Sequence, residues 1–234
     1  MSVIPFLEWL PEQTPARQLF VLLHGESAGP EDMAGVAAAL RHAFPESVVL
    51  APASGQVGQQ VSGGYEWFAT DLSDDGQRLA LQKIVPDVHR FVAQAQQRFG
   101  VSPEQTALVG YAQGATVALE SVQDGQLAVA GRVIAFSGRF VSLPSHAPTA
   151  CTYHILHGQD DTTTEVSHAH AAHGRLAELA ADSTLDIASQ IGHELHPALV
   201  ARAIVRLQTC VPLRSWKEAL GLPDEHVPAG TTLH

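Results

Sequence analysis

Apolar residues fall in short, nearly unbroken runs along this chain. They occupy 18–23 (QLFVLL), 48–51 (VVLA), 106–111 (TALVGY), 132–136 (RVIAF) and 152–156 (TYHIL), and a shorter segment at 185–188 completes the set. Regular alternation with polar residues would mark strands half in water. These runs lack it and predict strands covered on both faces, as in a parallel sheet. The intervals between them carry a helical period. Helices are predicted over 31–43, 76–99, 113–123, 165–181 and 196–209, the first opened by Pro30 and the second led in by Ser73 as a cap. Within 76–99, Leu79, Ile84, Val88, Phe91 and Val92 predict the buried stripe, and Pro86 predicts a kink or break. The Gly-, Ser- and Gln-rich interval 52–65 has no period and predicts a long loop.

Strand alternating with helix predicts an α/β fold, with a mostly parallel central sheet and helices on both faces. Ligands of such sheets bind beyond the carboxyl ends of the strands. The length of 234 residues suits one domain over 1–221, followed by a loosely held tail over 222–234.

Composition narrows the class. Hydrophobic residues make up 45% and charged residues 16%, the balance of a globular chain. A formal net charge of −11 leaves no basic face, which argues against a nucleic-acid partner. No apolar run is long enough for a membrane span. The opening MSVIPFLEWLPEQ lacks a basic leader region and already carries Glu8 and Pro11, so no secretory leader is expected and a cytoplasmic location is. Cys151 and Cys210 read as two separate thiols, in keeping with a reducing compartment.

Candidate chemistry enters at VGYAQGA, 109–115. With Ser in place of Ala112 it would be G-x-S-x-G, the strand-to-helix elbow that presents a nucleophile. Gly110 and Gly114 stand where such a turn has no room for side chains. An acid and then a histidine must follow in chain order. Asp160 and Asp161 lie just after one strand, and His193 lies between the last strand and the last helix. An oxyanion hole needs two backbone N–H groups, and Gln113 and Glu26 are placed to supply them. A carboxylate beside a developing negative charge is out of place, so the Glu26 side chain is expected to point away.

Further segments fit the same plan: LLHG at 22–25, EWF at 66–68, LVGYAQGATVALES at 108–121, RVIAFSGRF at 132–140, HGQDD at 157–161, TLDI at 184–187, IGH at 191–193 and WKEAL at 216–220. In combination they resemble the phospholipase/carboxylesterase branch of the α/β-hydrolases, relatives of the acyl-protein thioesterases, and within it the YpfH-type bacterial esterases. The resemblance implies an α/β-hydrolase fold and a serine-type carboxylesterase working through an acyl-enzyme, without metal or other cofactor. It puts Ala112 at the nucleophile position, Asp161 at the acid, with Asp160 a rival by adjacency only, and His193 at the base. Trp67 and Phe68 fall where the family lines its substrate groove, although plain core aromatics fit as well.

Three departures from the family stand out. Ala112 lacks the hydroxyl, Glu26 replaces an aromatic or small residue, and Thr162 to Thr164 replace more apolar residues after the acid. With the other parts in place, the expectation is a Ser→Ala replacement made by design, leaving little or no activity. The alternative is a natural pseudoenzyme that binds an acyl ligand or a protein. The expected partner is a small soluble ester, and the sequence is compatible with a homodimer. A metal site is not expected. His193 and His196 are one residue short of the zincin spacing and are followed by Pro197, and His168, His170 and His173 read as surface histidines.

Overall fold

Residues 5–12, 15–54, 56–57, 64–123, 129–146 and 150–210 are described in the structure, a computed structural model. The chain builds β1 (Phe6–Trp9), β2 (Gln18–Leu23), α1 (Ala34–Ala43), β3 (Ser47–Pro52), β4 (Gln56–Val57) and β5 (Tyr65–Glu66). It continues through α2 (Asp74–Phe99), β6 (Thr106–Tyr111), α3 (Gln113–Glu120), β7 (Arg132–Phe136), β8 (Thr152–Gly158), α4 (Val166–Glu178), β9 (Ser183–Ala188) and α5 (Pro197–Thr209). Seven strands form one sheet in the order β1-β3-β2-β6-β7-β8-β9. β1 runs antiparallel to β3 at one edge, and every other pairing in that sheet is parallel. β4 and β5 form a separate small ribbon.

The unbroken apolar runs are explained by two cores, one on each face. Leu19, Val21 and Leu23 of β2 point into a core shared with Val88 and Val92 of α2, Val117 of α3 and Ala169 of α4. Phe20 and Leu22 point into the other, with Val36 and Leu40 of α1 and Leu199 and Val200 of α5. β7 divides the same way: Val133 and Ala135 go to the first core, Ile134 and Phe136 to the second. A strand with a filled core on either side has no solvent face on which to place polar residues.

β2 is followed in sequence by β3 on one side of it, and the chain then crosses to β6 on the other. The order of strands therefore switches direction at β2 and β6. Loops leaving their carboxyl ends diverge there and open a crevice. Residues 24–29 and the turn 111–113 form its two lips.

Several expectations change. β1 was not expected from the sequence, and it caps the sheet edge through Phe6, whose ring meets Phe91 edge-on at 5.6 Å, and Glu8, which pairs with Arg98 at 2.7 Å. Pro86 does not break α2, which runs unbroken over Asp74–Phe99. Pro86 is exposed, and its ring offers no N–H to the carbonyl of the exposed Gln82 one turn back. Leu79, expected in the buried stripe, is 60% exposed. The buried residues of α2 are Leu81, Val88, Val92 and Ala95. The expected tail, 222–234, and the WKEAL segment lie outside the described residues.

Candidate active site

The turn from β6 into α3 is a strained elbow. Ala112 sits at φ 50°, ψ −116°, a conformation that side-chain-bearing residues rarely adopt. Two backbone hydrogen bonds hold it there: Ala112 N–H donates to the Phe136 carbonyl at 2.9 Å, and Thr116 N–H donates to the Ala112 carbonyl at 3.1 Å. A Cβ on Gly110 would collide with the Gly114 carbonyl, and one on Gly114 would collide with the carbonyls of Leu23 and His24. The two glycines therefore let α3 press against the end of β2. The Ala112 methyl lies 3.5 Å from where a Cβ on Gly25 would stand, so position 112 faces the loop after β2.

Asp161 and His193 come from different loops stitched together. Gln159 N–H donates to the Ala188 carbonyl at 2.8 Å, and Asp160 N–H to the Ile191 carbonyl at 2.9 Å. A Cβ on Gly158 would collide with the carbonyls of Ile191 and Gly192, so glycine permits the approach. Within this frame His193 Nδ1 stands 2.8 Å from Asp161 Oδ2. The other carboxylate oxygen, Oδ1, accepts from the N–H groups of Thr163 at 2.9 Å and Thr164 at 2.8 Å. Burial pushes this carboxyl up, but the Thr164 N–H, His193 and the Thr163 N–H outweigh it and hold Asp161 below the usual carboxylate range. Asp160, the rival, is exposed.

His157 completes the support of Asp161. It is buried on β8, its Nε2 lies 2.7 Å from the Thr164 carbonyl and 3.2 Å from Asp161 Oδ2, and burial lowers its pKa. A neutral ring with hydrogen on Nε2 can donate to both. On the other side of His193, Tyr111 donates its hydroxyl to the His193 carbonyl at 3.2 Å. Burial, with Glu26 and Asp161 adding to it, pushes that phenol up to about 12.

Beneath the crevice a polar clamp fixes the loop after β2. His24 is fully buried, donates from Nδ1 to the Gly25 carbonyl at 2.7 Å and accepts at Nε2 from Ser54 N–H at 3.0 Å. Burial keeps it neutral by lowering its pKa. Trp67 stacks on the His24 ring at 5.2 Å and donates from Nε1 to the His24 carbonyl at 2.8 Å. The Gln113 side chain accepts from Trp67 N–H at 3.0 Å and donates to the Phe68 carbonyl at 2.9 Å. Trp67 and Phe68 are therefore core residues, 5% and 4% exposed, that position the loop after β2 and the start of α3. Sequence reasoning missed the Gln113 and His24 side chains, since a buried Gln in an apolar helix start was the only sign of them.

Glu26 overturns an expectation. Its side chain does not point away but enters the crevice. Oε2 accepts from Gln113 N–H at 3.3 Å, and Oε1 lies 3.9 Å from His193 Nε2. His193 thus stands between two carboxylates, Asp161 at Nδ1 and Glu26 at Nε2.

The histidines weighed as metal ligands, His193 apart, do not join the site. His168 and His170 are exposed and His173 is half-buried, its Nδ1 3.0 Å from Ser183 Oγ. His196 caps α5 by accepting from Ala198 N–H. Among the described residues no group of three or more His, Cys, Asp or Glu side chains is arranged to hold a metal ion. Cys151 is buried and Cys210 half-buried, and no disulfide joins them. No helix among the described residues is long and apolar enough to cross a membrane.

Comparison with known proteins agrees with this architecture. The Phospholipase/Carboxylesterase family model matches residues 8–211. Esterase YpfH of Escherichia coli (strain K12) is 34% identical over 210 residues, 88% of each chain. The crystal structure of esterase PE8 superposes with a TM-score of 0.78 at 26% identity, covering 89% of this chain and 98% of that one. A carboxylesterase of Bacillus cereus, 15% identical, shares the fold with a TM-score of 0.75 over 88% of this chain and 94% of that one. A match running from the edge strand to the end of α5 makes this chain an α/β-hydrolase of the phospholipase/carboxylesterase family, whose chemistry is the hydrolysis of carboxylic esters.

Proposed function

We propose that the chain carries the frame of a serine-type carboxylesterase for small soluble carboxylic esters, and that Ala112 leaves it with little or no turnover. With a hydroxyl at position 112, that oxygen would attack the ester carbonyl while His193 took its proton at Nε2. Asp161 would orient the imidazole and stabilise its charged form. The N–H groups of Glu26 and Gln113 would face the oxyanion, and His193 would return its proton to the departing alcohol. Water activated by His193 would then release the acid. The observation that carries this reading is the Asp161–His193 hydrogen bond of 2.8 Å, formed at the same end of the sheet as the elbow. The net charge of −11 disfavours anionic lipid surfaces and favours small dissolved esters. Loss of a serine nucleophile costs about 10⁶ in kcat, so Ala112 leaves little or no hydrolysis.

The test compares the chain with Ala112→Ser on p-nitrophenyl esters from acetate to octanoate. The expected result is a gain of at least ~10-fold in kcat that disappears when His193→Ala is added. The reading falls if no protein carrying Ala112→Ser, the Glu26 double variant below included, shows His193-dependent hydrolysis of any ester in the panel.

A second reading, a natural non-catalytic member of the family, is favoured by Glu26. A replacement made by design would change the nucleophile alone, whereas here a second departure reaches into the same crevice. The codon at position 112 in the source gene decides between them, Ser for design and Ala for a natural state.

A further inference from the structure

An ester bound for attack must place its carbonyl oxygen at the N–H groups that will stabilise the oxyanion. In this chain a carboxylate oxygen of its own is already there. Glu26 Oε2 takes the Gln113 N–H at 3.3 Å, at the positive end of α3, and Glu26 Oε1 faces His193 Nε2 at 3.9 Å. One oxygen thus lies where the oxyanion would form, and the other faces the nitrogen that would receive the nucleophile's proton. The loop that carries Glu26 is held from below: the neighbouring His24 is pinned by Ser54 and Trp67, and Ser27 takes a positive φ of 55°. Tyr65 N–H also donates to the Ala28 carbonyl at 2.7 Å, which fixes the outgoing side of the same loop.

We propose that Glu26 is an internal ligand of the oxyanion pocket and a specificity-determining residue of this site. Its carboxylate fills the place of the ester carbonyl oxygen and denies the pocket to neutral esters and to free carboxylates. The site is therefore silenced twice, once by Ala112 and independently by Glu26. The proposal rests on the esterase reading for its kinetic arm and is separable from it in a binding arm.

The experiment uses the full chain and two probes. Butyrate binding is titrated by NMR on the unaltered chain, Glu26→Ala and the isosteric Glu26→Gln, with thermal melts to verify that each variant is folded. Hydrolysis of p-nitrophenyl butyrate is measured for Ala112→Ser and for Ala112→Ser combined with Glu26→Ala. The backbone N–H of residue 26 survives these changes, so they vacate the pocket without dismantling it. We expect butyrate to bind Glu26→Ala at least ~10-fold more tightly than the unaltered chain, and the double variant to exceed Ala112→Ser by about 10²-fold in kcat/KM, the size of an oxyanion contribution. If Ala112→Ser alone hydrolyses the ester as fast as the double variant, Glu26 does not occlude the pocket and the proposal falls while the esterase reading stands. If removing Glu26 strengthens butyrate binding but neither variant hydrolyses the ester, the internal ligand stands and the esterase reading loses its support. Equal butyrate affinity in all three folded proteins, with no hydrolysis in either serine variant, overturns both.

Discussion

Ala112 holds its backbone at φ 50° with no hydroxyl to justify the strain by catalysis. A side chain in that region costs of order 1 kcal/mol, and the surroundings sustain it: Gly110 and Gly114 permit no other path, and Phe136 and Thr116 fix both sides of the peptide. Glycine adopts the conformation without a Cβ clash, although it loses more chain entropy on folding. Ala112→Gly should therefore raise stability by about 0.5–1 kcal/mol, read as a higher urea midpoint at unchanged slope. A lower midpoint would mean that the elbow is relaxed around alanine. The same scale separates what the sequence disclosed from what it concealed. The elbow at Ala112 and the meeting of Asp161 with His193 were legible because these segments follow a fixed order at strand ends. The direction of Glu26 was not, because a side-chain rotamer answers to neighbours that only the folded loop brings near. The Gln113 amide and His157 were hidden for the same reason.

At the scale of elements, the central strands were legible to within a residue or two because both of their faces are buried. β1 was not, because its residues are largely exposed and it is held by one neighbour alone. In α2, Leu79 and Leu81 sit two positions apart and cannot share a face; the phase is set by Val88 and Val92 against the sheet, which selects Leu81. α5 shows how an element is fixed by charge as well as by its apolar stripe. Asp186 on β9 accepts from Nε of Arg202 and of Arg206, both at 2.7 Å, and Arg206 adds a second contact at 3.0 Å. Burial pushes the Asp186 carboxyl up, but the two guanidinium groups hold it below the usual range. The arginines remain partly in water, so the net contribution is modest. Asp186→Asn should cost about 1 kcal/mol and lower Tm by roughly 2–4 °C. Hydrogen exchange should quicken in α5 before it does in α1. An unchanged melting curve with unchanged exchange would show that the apolar stripe alone docks the helix.

For the whole molecule, the parallel sheet concentrates polar groups at two kinds of place, the crevice above the strand ends and a few buried positions within the strands. His154 is of the second kind. It is fully buried on β8, with Nδ1 2.9 Å from Thr184 Oγ1 and no hydrogen-bond partner for Nε2 among the described residues. Burial lowers its pKa to about 4, with Arg132 and Arg206 pushing the same way and Asp186 opposing. The folded protein therefore keeps His154 neutral, while the unfolded chain takes up a proton at this residue near pH 6.5. Between those values the unfolded state binds more protons, so stability is full above about pH 6.5 and declines as pH falls towards 4. A gap of that size corresponds to at most about 3 kcal/mol. His24 and His157, also lowered by burial, add in the same direction. Asp161 and Asp186, held below their ordinary range, give up their contributions only at more acid pH. Urea midpoints taken from pH 7 to pH 4 should thus fall steeply in the unaltered chain and less steeply in His154→Gln, whose amide can still meet Thr184 but does not titrate. Identical slopes in the two proteins would remove His154 from the account and leave the decline to His24 and His157.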